Sequence, residues 1–472
     1  MLNVKDFGAL GDGLHDDTIA IQSAISEIEL SGGGEIYFPE GKYLCGSIIL
    51  CSNITLRGDK AILSLIGDEN HLKHIPFGIG NRYGENLHLY FGFECNNNMG
   101  FLCAKDKENI CIENIILEAD DRSFCEKKDA TPINYKKDAV LAPGAFFGDD
   151  HYYLPIKPRP QMLLFNDCKN ISINHLEIYK SPCFTAWMLR CENITVKNSL
   201  IRNHLNQYNA DGFHFSSCKN VCVSDCDFVC GDDCIAIDTN SGVDSQNFII
   251  ENCIFETNMH ACRIYSGLDF EKVFGRDNSG KICNVQFKNI TVNGCGAVSI
   301  INAFDGDISN VEFDNITARQ HVQGTLYCLT ANEGEISDIR VSNSKLSGDG
   351  VLFAYAEGNG KICNISFENS FFDITPILKL WGVLEVCELS NHAFGKPYNI
   401  ALKGCENIIF QDCELQFRTP VFSNSYSQAE KKNIIESIGY ERLSKIEPDK
   451  IDVLSQINCK SVNVNGLKVS YI

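Results

Sequence analysis

The sequence predicts an all-β protein: a single-stranded parallel β-helix, with an N-terminal capping helix and long loop insertions. One observation is a short motif that returns along the 472 residues: Asn, alternating apolar positions, then Asn or Asp. It reads Asn53-Ile-Thr-Leu, Asn109-Ile-Cys-Ile-Glu-Asn114, Asn170-Ile-Ser-Ile-Asn174, Asn193-Ile-Thr-Val-Lys-Asn198 and Asn220-Val-Cys-Val-Ser-Asp225. Further copies begin at Asn247, Asn284, Asn310, Ile339, Asn364, Asn407 and Val462. In the middle of the chain they recur about every 23–28 residues, a solenoid period. Alternation of apolar and polar residues inside each copy is the second observation, and it is strand periodicity. The third is Asn or Asp at each strand end, which suits a left-handed corner because a short polar side chain tolerates it.

A strand this short cannot bury its apolar face alone. Stacked copies about 4.8 Å apart build one continuous core. A length prior of about three domains therefore gives way to a single solenoid over residues 1–472.

The elements follow in chain order. Asp16-Asp17-Thr18, ahead of apolar Ile19, Ile21 and Ile25, reads as a capped amphipathic helix covering the open first coil. Residues 69–100 and 119–160 break the rhythm, are rich in Gly and Pro, and read as irregular insertions beside the substrate groove. They carry Phe77, Tyr83, Tyr90, Phe91, Phe146, Phe147, Tyr152 and Tyr153, which either wall one end of the groove or pack against the solenoid. A late loop, 420–450, holds a second short helix at 428–446.

Composition excludes several classes of partner. With 41 basic against 61 acidic residues the net charge is −20, which repels phosphate backbones and argues against nucleic acid. No run approaches the roughly 18 apolar residues of a membrane span, and an anionic membrane surface is disfavoured too. The start, Met1 to Gly8, shows no basic region before an apolar core, so a cytoplasmic location with mostly free thiols is expected for the 24 cysteines. Cys218, Cys222, Cys226, Cys230 and Cys234 recur every fourth residue, a spacing that would make a metal stripe on a helix but scatters between strands and corners on β-rungs. No metal and no cofactor is expected. The Asn-Ile-Thr sequons at Asn53, Asn193, Asn289 and Asn315 fall inside the repeat and read as corner chemistry.

The densest polar stretch is Asn209-Ala-Asp211-Gly212-Phe-His214, followed by Gly231-Asp232-Asp233-Cys234. Asp211 precedes Asp232 and Asp233 by 21 and 22 positions, close to one coil, so three carboxyls converge on neighbouring rungs. A lone Asp-Asp pair would be a solvated turn. Glycine beside each motif and a one-coil register favour chemistry instead. Carboxyls held close raise one pKa and keep one acid protonated, which glycoside hydrolysis needs.

At these residues the sequence resembles glycoside hydrolase family 28, the polygalacturonase family, as a divergent bacterial-type member. The opening Val4-Lys5-Asp6-Phe7-Gly8-Ala9-Leu10-Gly11-Asp12-Gly13, Gly41-Lys42-Tyr43-Leu44 and Arg159-Pro160 also match, while the aspartate motifs are the specific part. The resemblance implies a right-handed β-helix and an inverting hydrolase. It makes Asp232 the general acid, Asp211 and Asp233 the pair that activates water, and Asn209 an orienting group. His260 falls where the family has its His-Gly, and would tune the acid or hold the sugar. Here that pair reads His260-Ala261, and the coil expected to grip the substrate carboxylate through Arg-Ile-Lys reads Gly296-Ala-Val-Ser299-Ile-Ile-Asn302, with no basic residue.

Arg263 is a substitute only if it points into the groove, and simple alternation puts it opposite His260. His214 stands where relatives carry another Asp, either touching substrate or lying at the surface; Tyr265 is a further substrate-binding candidate. The expected substrate is an oligosaccharide, pectin-derived or related, cleaved from an end. A uronate lyase or epimerase and a non-catalytic carbohydrate-binding β-helix are the alternatives.

Overall fold

A computed structural model describes residues 1–74, 99–129, 146–147, 151–155, 157, 159–205, 207, 209–239, 243–267, 280–320, 325–375, 377–378, 400–418, 421–422 and 453–471. Each coil contributes three short strands, stacked in parallel on those of its neighbours. A 13-stranded sheet carries one face, and a 24-stranded sheet bends at a corner to supply the other two. The expected parallel β-helix is what forms.

The corners are where the sequence placed them. Asn53, Asn109, Asn170, Asn193, Asn220, Asn247, Asn284 and Asn310 all have φ between 55° and 64°, the left-handed region. Their carboxamides stack coil on coil: Asn193 donates to Asn170 Oδ1 at 3.0 Å, Asn220 to Asn193 at 3.0 Å and Asn247 to Asn220 at 2.9 Å. A second corner runs through Asn198, Asp225, Asn252, Asn289 and Asn315. The amides of the sequon residues Asn53, Asn193, Asn289 and Asn315 are thus ladder rungs.

The helix spans Thr18–Leu30, and Ile21, Ala24, Ile25 and Ile28 join the core. Two details depart from expectation. Ile19 is 80% exposed, because the buried stripe starts two positions later, at Ile21. The helix start is capped by Asp16, whose Oδ1 accepts from Thr18 N at 2.9 Å, while Asp17 turns away to accept from Leu10 N and Gly11 N at 2.7 and 3.0 Å.

The 119–160 insertion is not wholly irregular. Cys125–Asp129, Phe146–Phe147 and His151–Pro155 form a small antiparallel sheet whose partners all lie inside the insertion. Cys-Glu-Lys-Lys-Asp shows no apolar alternation, so the sequence carried no signal for it. Among its aromatics, Tyr153 takes a hydrogen bond from Arg122 Nη1 at 3.4 Å, with the guanidinium 4.7 Å over its ring. Phe77, Tyr83, Tyr90, Phe91 and the 428–446 helix lie outside the described residues, as do the side chains of Phe146, Phe147 and Tyr152.

Inside the solenoid, cysteine serves as a small apolar filler. Cys218, Cys226, Cys230 and Cys234 are buried, Cys222 is half-buried, and all five are free thiols. Burial holds the Cys103 and Cys262 thiols well above their usual range.

Candidate active site

The 13-stranded sheet sets the register of the site. Phe213 pairs with Ile235, and Ile235 with Cys262. Counting back two residues on each strand places Asp211, Asp233 and His260 on three successive rungs. Backbone bonds fix the alignment: Gly212 N donates to Asp233 O at 2.8 Å, and Cys234 N to His260 O at 3.1 Å. The two glycines permit the close approach. A Cβ on Gly212 would lie 2.3 Å from Cys234 O, and one on Gly231 would lie 2.0 Å from Gln207 O.

Asp232 is anchored by backbone. Its Oδ2 accepts from Asn209 N at 2.9 Å and its Oδ1 from Asp233 N at 3.1 Å. Burial first, and then the neighbouring Asp233 charge, push its carboxyl up to about 7. Asp233 goes the other way. Burial opposes its ionised form, but the imidazole of His260, with Nδ1 2.6 Å from Oδ1, and the Arg263 charge outweigh it and hold the group below the usual carboxylate range. Asp211 is raised to about 7 by burial and by Asp232, although His214 pulls it down. Its Oδ1 is buried and takes no hydrogen bond among the described residues.

Asn209 adopts the left-handed conformation, φ 57°, which aims its N–H at Asp232. Its Oδ1 accepts from Arg159 Nη2 at 3.1 Å, and Arg159 is wholly buried, also donating to Pro182 O at 3.0 Å. In the sequence Arg159 stands out only as part of the Arg159-Pro160 pair. Its anchoring of Asn209 is a role that sequence spacing could not show.

Arg263 does not sit opposite His260 as simple alternation required. Ala261 and Cys262 are both buried in the core, so the strand His260–Ser266 bends at its start and the alternation slips by one. Arg263 therefore shares the outer face of the sheet, in register with Ala236 and, one coil earlier, His214. The fields of Asp233, Asp232 and Asp211 outweigh its burial and raise its pKa. Its Nε is buried and unpaired among the described residues. The guanidinium lies 5.0 Å from the centre of the Tyr265 ring.

His214 does not lie at the surface. It is 4% exposed, its Nδ1 lies 3.1 Å from Asp211 Oδ2, and its Nε2 lies 2.6 Å from Asp238 Oδ2. The Tyr265 hydroxyl is 3.1 Å from the same Nε2, and Tyr265 is buried on the same face as Arg263. Asp238, fully buried, went unnoticed in the sequence; its signal was the two-residue alternation from Ala236, which puts it on the outer face beside His214.

Asp232, Asp233 and His260 each bring one potential metal ligand atom within 4.8 Å of the others. Two of those groups are already spent on each other in the short Asp233–His260 bond. The arrangement suits proton transfer: a carboxyl kept protonated adjoins one kept ionised.

Similarity to known proteins spans the same residues. Residues 148–326, which contain every site residue above, match the model of glycosyl hydrolases family 28. Residues 1–100 match a model described as rhamnogalacturonase A/epimerase, pectate lyase-like. A probable polygalacturonase of Vitis vinifera is 27% identical over 243 residues, 50% of this chain and 43% of that protein, so the chain spans less than half of this relative. A family 28 exopolygalacturonase of Yersinia enterocolitica superposes with a TM-score of 0.63 at 14% identity, covering 99% of this chain and 77% of that one. An exopolygalacturonase of Thermotoga maritima gives 0.59 at 20% identity, covering 88% and 91%. At these identities the two structures speak to the fold alone.

Proposed function

The chain belongs to glycoside hydrolase family 28, and on that premise we propose that it hydrolyses a glycosidic bond of an acidic oligosaccharide, pectin-derived or related, with inversion. The observation that carries the reading is the divergence of two adjacent carboxyls, Asp232 pushed up to about 7 and Asp233 held down. Asp232 gives its proton to the glycosidic oxygen as the bond from that oxygen to the anomeric carbon breaks. Asp233, with Asp211 beside it, takes a proton from the water that forms the new bond on the opposite face.

Arg263 supplies the cationic contact for a sugar carboxylate. The next coil, Ala297–Ala303, offers no basic residue, and Arg263 lies one rung nearer the aspartates. End-unit removal is part of the proposal: the 119–160 insertion leads into Gln161–Asn166, two rungs before Phe213–Ser216, and so stands at one end of the groove. A lyase or epimerase has less support, because the rhamnogalacturonase A/epimerase, pectate lyase-like model matches residues 1–100, ahead of the aspartates.

A panel of uronate-containing and neutral oligosaccharides with a reducing-sugar readout tests the reading. Reducing ends should appear from the uronate members and vanish in Asp232→Asn. Near-normal hydrolysis by that variant would remove Asp232 as the acid.

A further inference from the structure

The buried ring of His214 has both nitrogens engaged by carboxylates, and the proposed hydrolysis assigns it no step. We infer that His214, clamped between Asp211 and Asp238, is a positioning residue that fixes the orientation of the water-activating Asp211 carboxyl and favours its ionised form.

The geometry leaves little freedom. Nδ1 lies 3.1 Å from Asp211 Oδ2 and Nε2 lies 2.6 Å from Asp238 Oδ2, and carboxylate oxygens on both nitrogens call for two ring N–H donors, an imidazolium. Asp238 is itself fixed, accepting from Ser216 Oγ at 2.9 Å, and that hydroxyl takes the indole N–H of Trp187 at 2.9 Å. Phe184 stacks on the imidazole at 4.6 Å between centroids, Trp187 lies at 6.5 Å, and Tyr265 stands edge-on at 6.2 Å with its hydroxyl on Nε2. Among the described residues the ionisable groups facing His214 are Asp211, Asp238 and the Tyr265 phenol, and the field of His214 also reaches Asp233. Burial alone would strip the ring of its proton; the two carboxylates reverse that and carry it up to about 9.

The consequence falls on Asp211. With Oδ2 tied to the cation, Oδ1 is left buried and without a hydrogen bond among the described residues, an unused acceptor of the kind a reacting water needs. A fixed positive charge here also offsets the repulsion of three carboxyls packed on adjacent rungs. Asp238 acts through His214 as its orienting carboxylate. Neither residue need touch the sugar.

Two measurements on the full chain test this, and only the second rests on the proposed hydrolase. In histidine-selective nitrogen-15 NMR, the signal lost in His214→Gln should report a doubly protonated ring at pH 7.5. Asp238→Asn should lower its titration midpoint by about one unit or more. A neutral ring at pH 7.5 overturns the inference. In the kinetic arm, with trigalacturonate as probe, His214→Gln should move the acidic limb of kcat/KM upward by about one pH unit, roughly tenfold in rate on that limb. The sign follows from losing the cation that pulls the Asp211 carboxyl down. Asp238→Asn should move the limb the same way by less. Limbs that superimpose on the wild type, with only a uniform loss of rate or a lower Tm, would reduce His214 to a packing residue and overturn the inference. Failure of the wild type to cleave trigalacturonate would count against the proposed substrate, and the NMR arm would still decide the state of His214.

Discussion

At the scale of single residues, the site trades stability for a proton held in place. An unfolded aspartate gives up its proton near 3.8, whereas folded Asp232 keeps it to about 7. Between those values the folded state binds more protons, so the contribution of Asp232 to stability falls as pH rises through that window. Asp232→Asn should accordingly abolish turnover, by about 10²–10⁴-fold, yet raise Tm at pH 8 relative to the wild type. A thermal melt that shows Asp232→Asn equal or weaker at pH 8 would contradict the assigned cost of burying this carboxyl. Arg263→Gln should reduce kcat/KM on uronate substrates while leaving neutral ones unchanged, as measured on the same panel.

The trio itself was legible because Asp211, Asp232 and Asp233 fall one coil apart in a sequence whose period is visible. Arg263 was misplaced because a bend at Ala261–Cys262 shifts the alternation, and nothing in the residue types announces a bend. Asp238 and Arg159 were hidden for a related reason. Their importance comes from partners 24 and 50 positions away in the chain, which only the coil register brings within reach.

At the scale of elements, the asparagine corners and the two site glycines do the positioning. Asn220 donates to Asn193, accepts from Asn247 and holds φ at 57°. Asn220→Ala loses both bonds and pays for the left-handed backbone, an expected destabilisation of about 2 kcal/mol by chemical denaturation. Asn220→Gly keeps the backbone freedom and should recover part of that loss, which separates ladder from conformation. Gly231→Ala would drive a Cβ to 2.0 Å from Gln207 O, so Asp232 must shift; activity should fall far more than the about 1–3 kcal/mol of stability expected from overpacking. Corners were readable in the sequence because Asn is one of few residues that tolerate the left-handed region. The small antiparallel sheet of the insertion was not, since its strands lack apolar alternation and pair only with each other.

For the whole molecule, the register of stacked coils converts a one-dimensional repeat into a site. Each coil adds a rung, and residues about 25 positions apart become neighbours at about 4.8 Å. The described cysteines are free thiols, so reductant should leave Tm unchanged. An acidic chain that sets Arg263 beside three aspartates, with its Nε unpaired among the described residues, is arranged for a sugar that brings its own carboxylate. The most direct test of that account is proton NMR of the first product formed from an uronate oligosaccharide that the wild type cleaves. Water attacking opposite the departing oxygen predicts a new reducing end of inverted anomeric configuration, released as a saturated sugar. A retained anomer, or an unsaturated product absorbing in the ultraviolet, would contradict it.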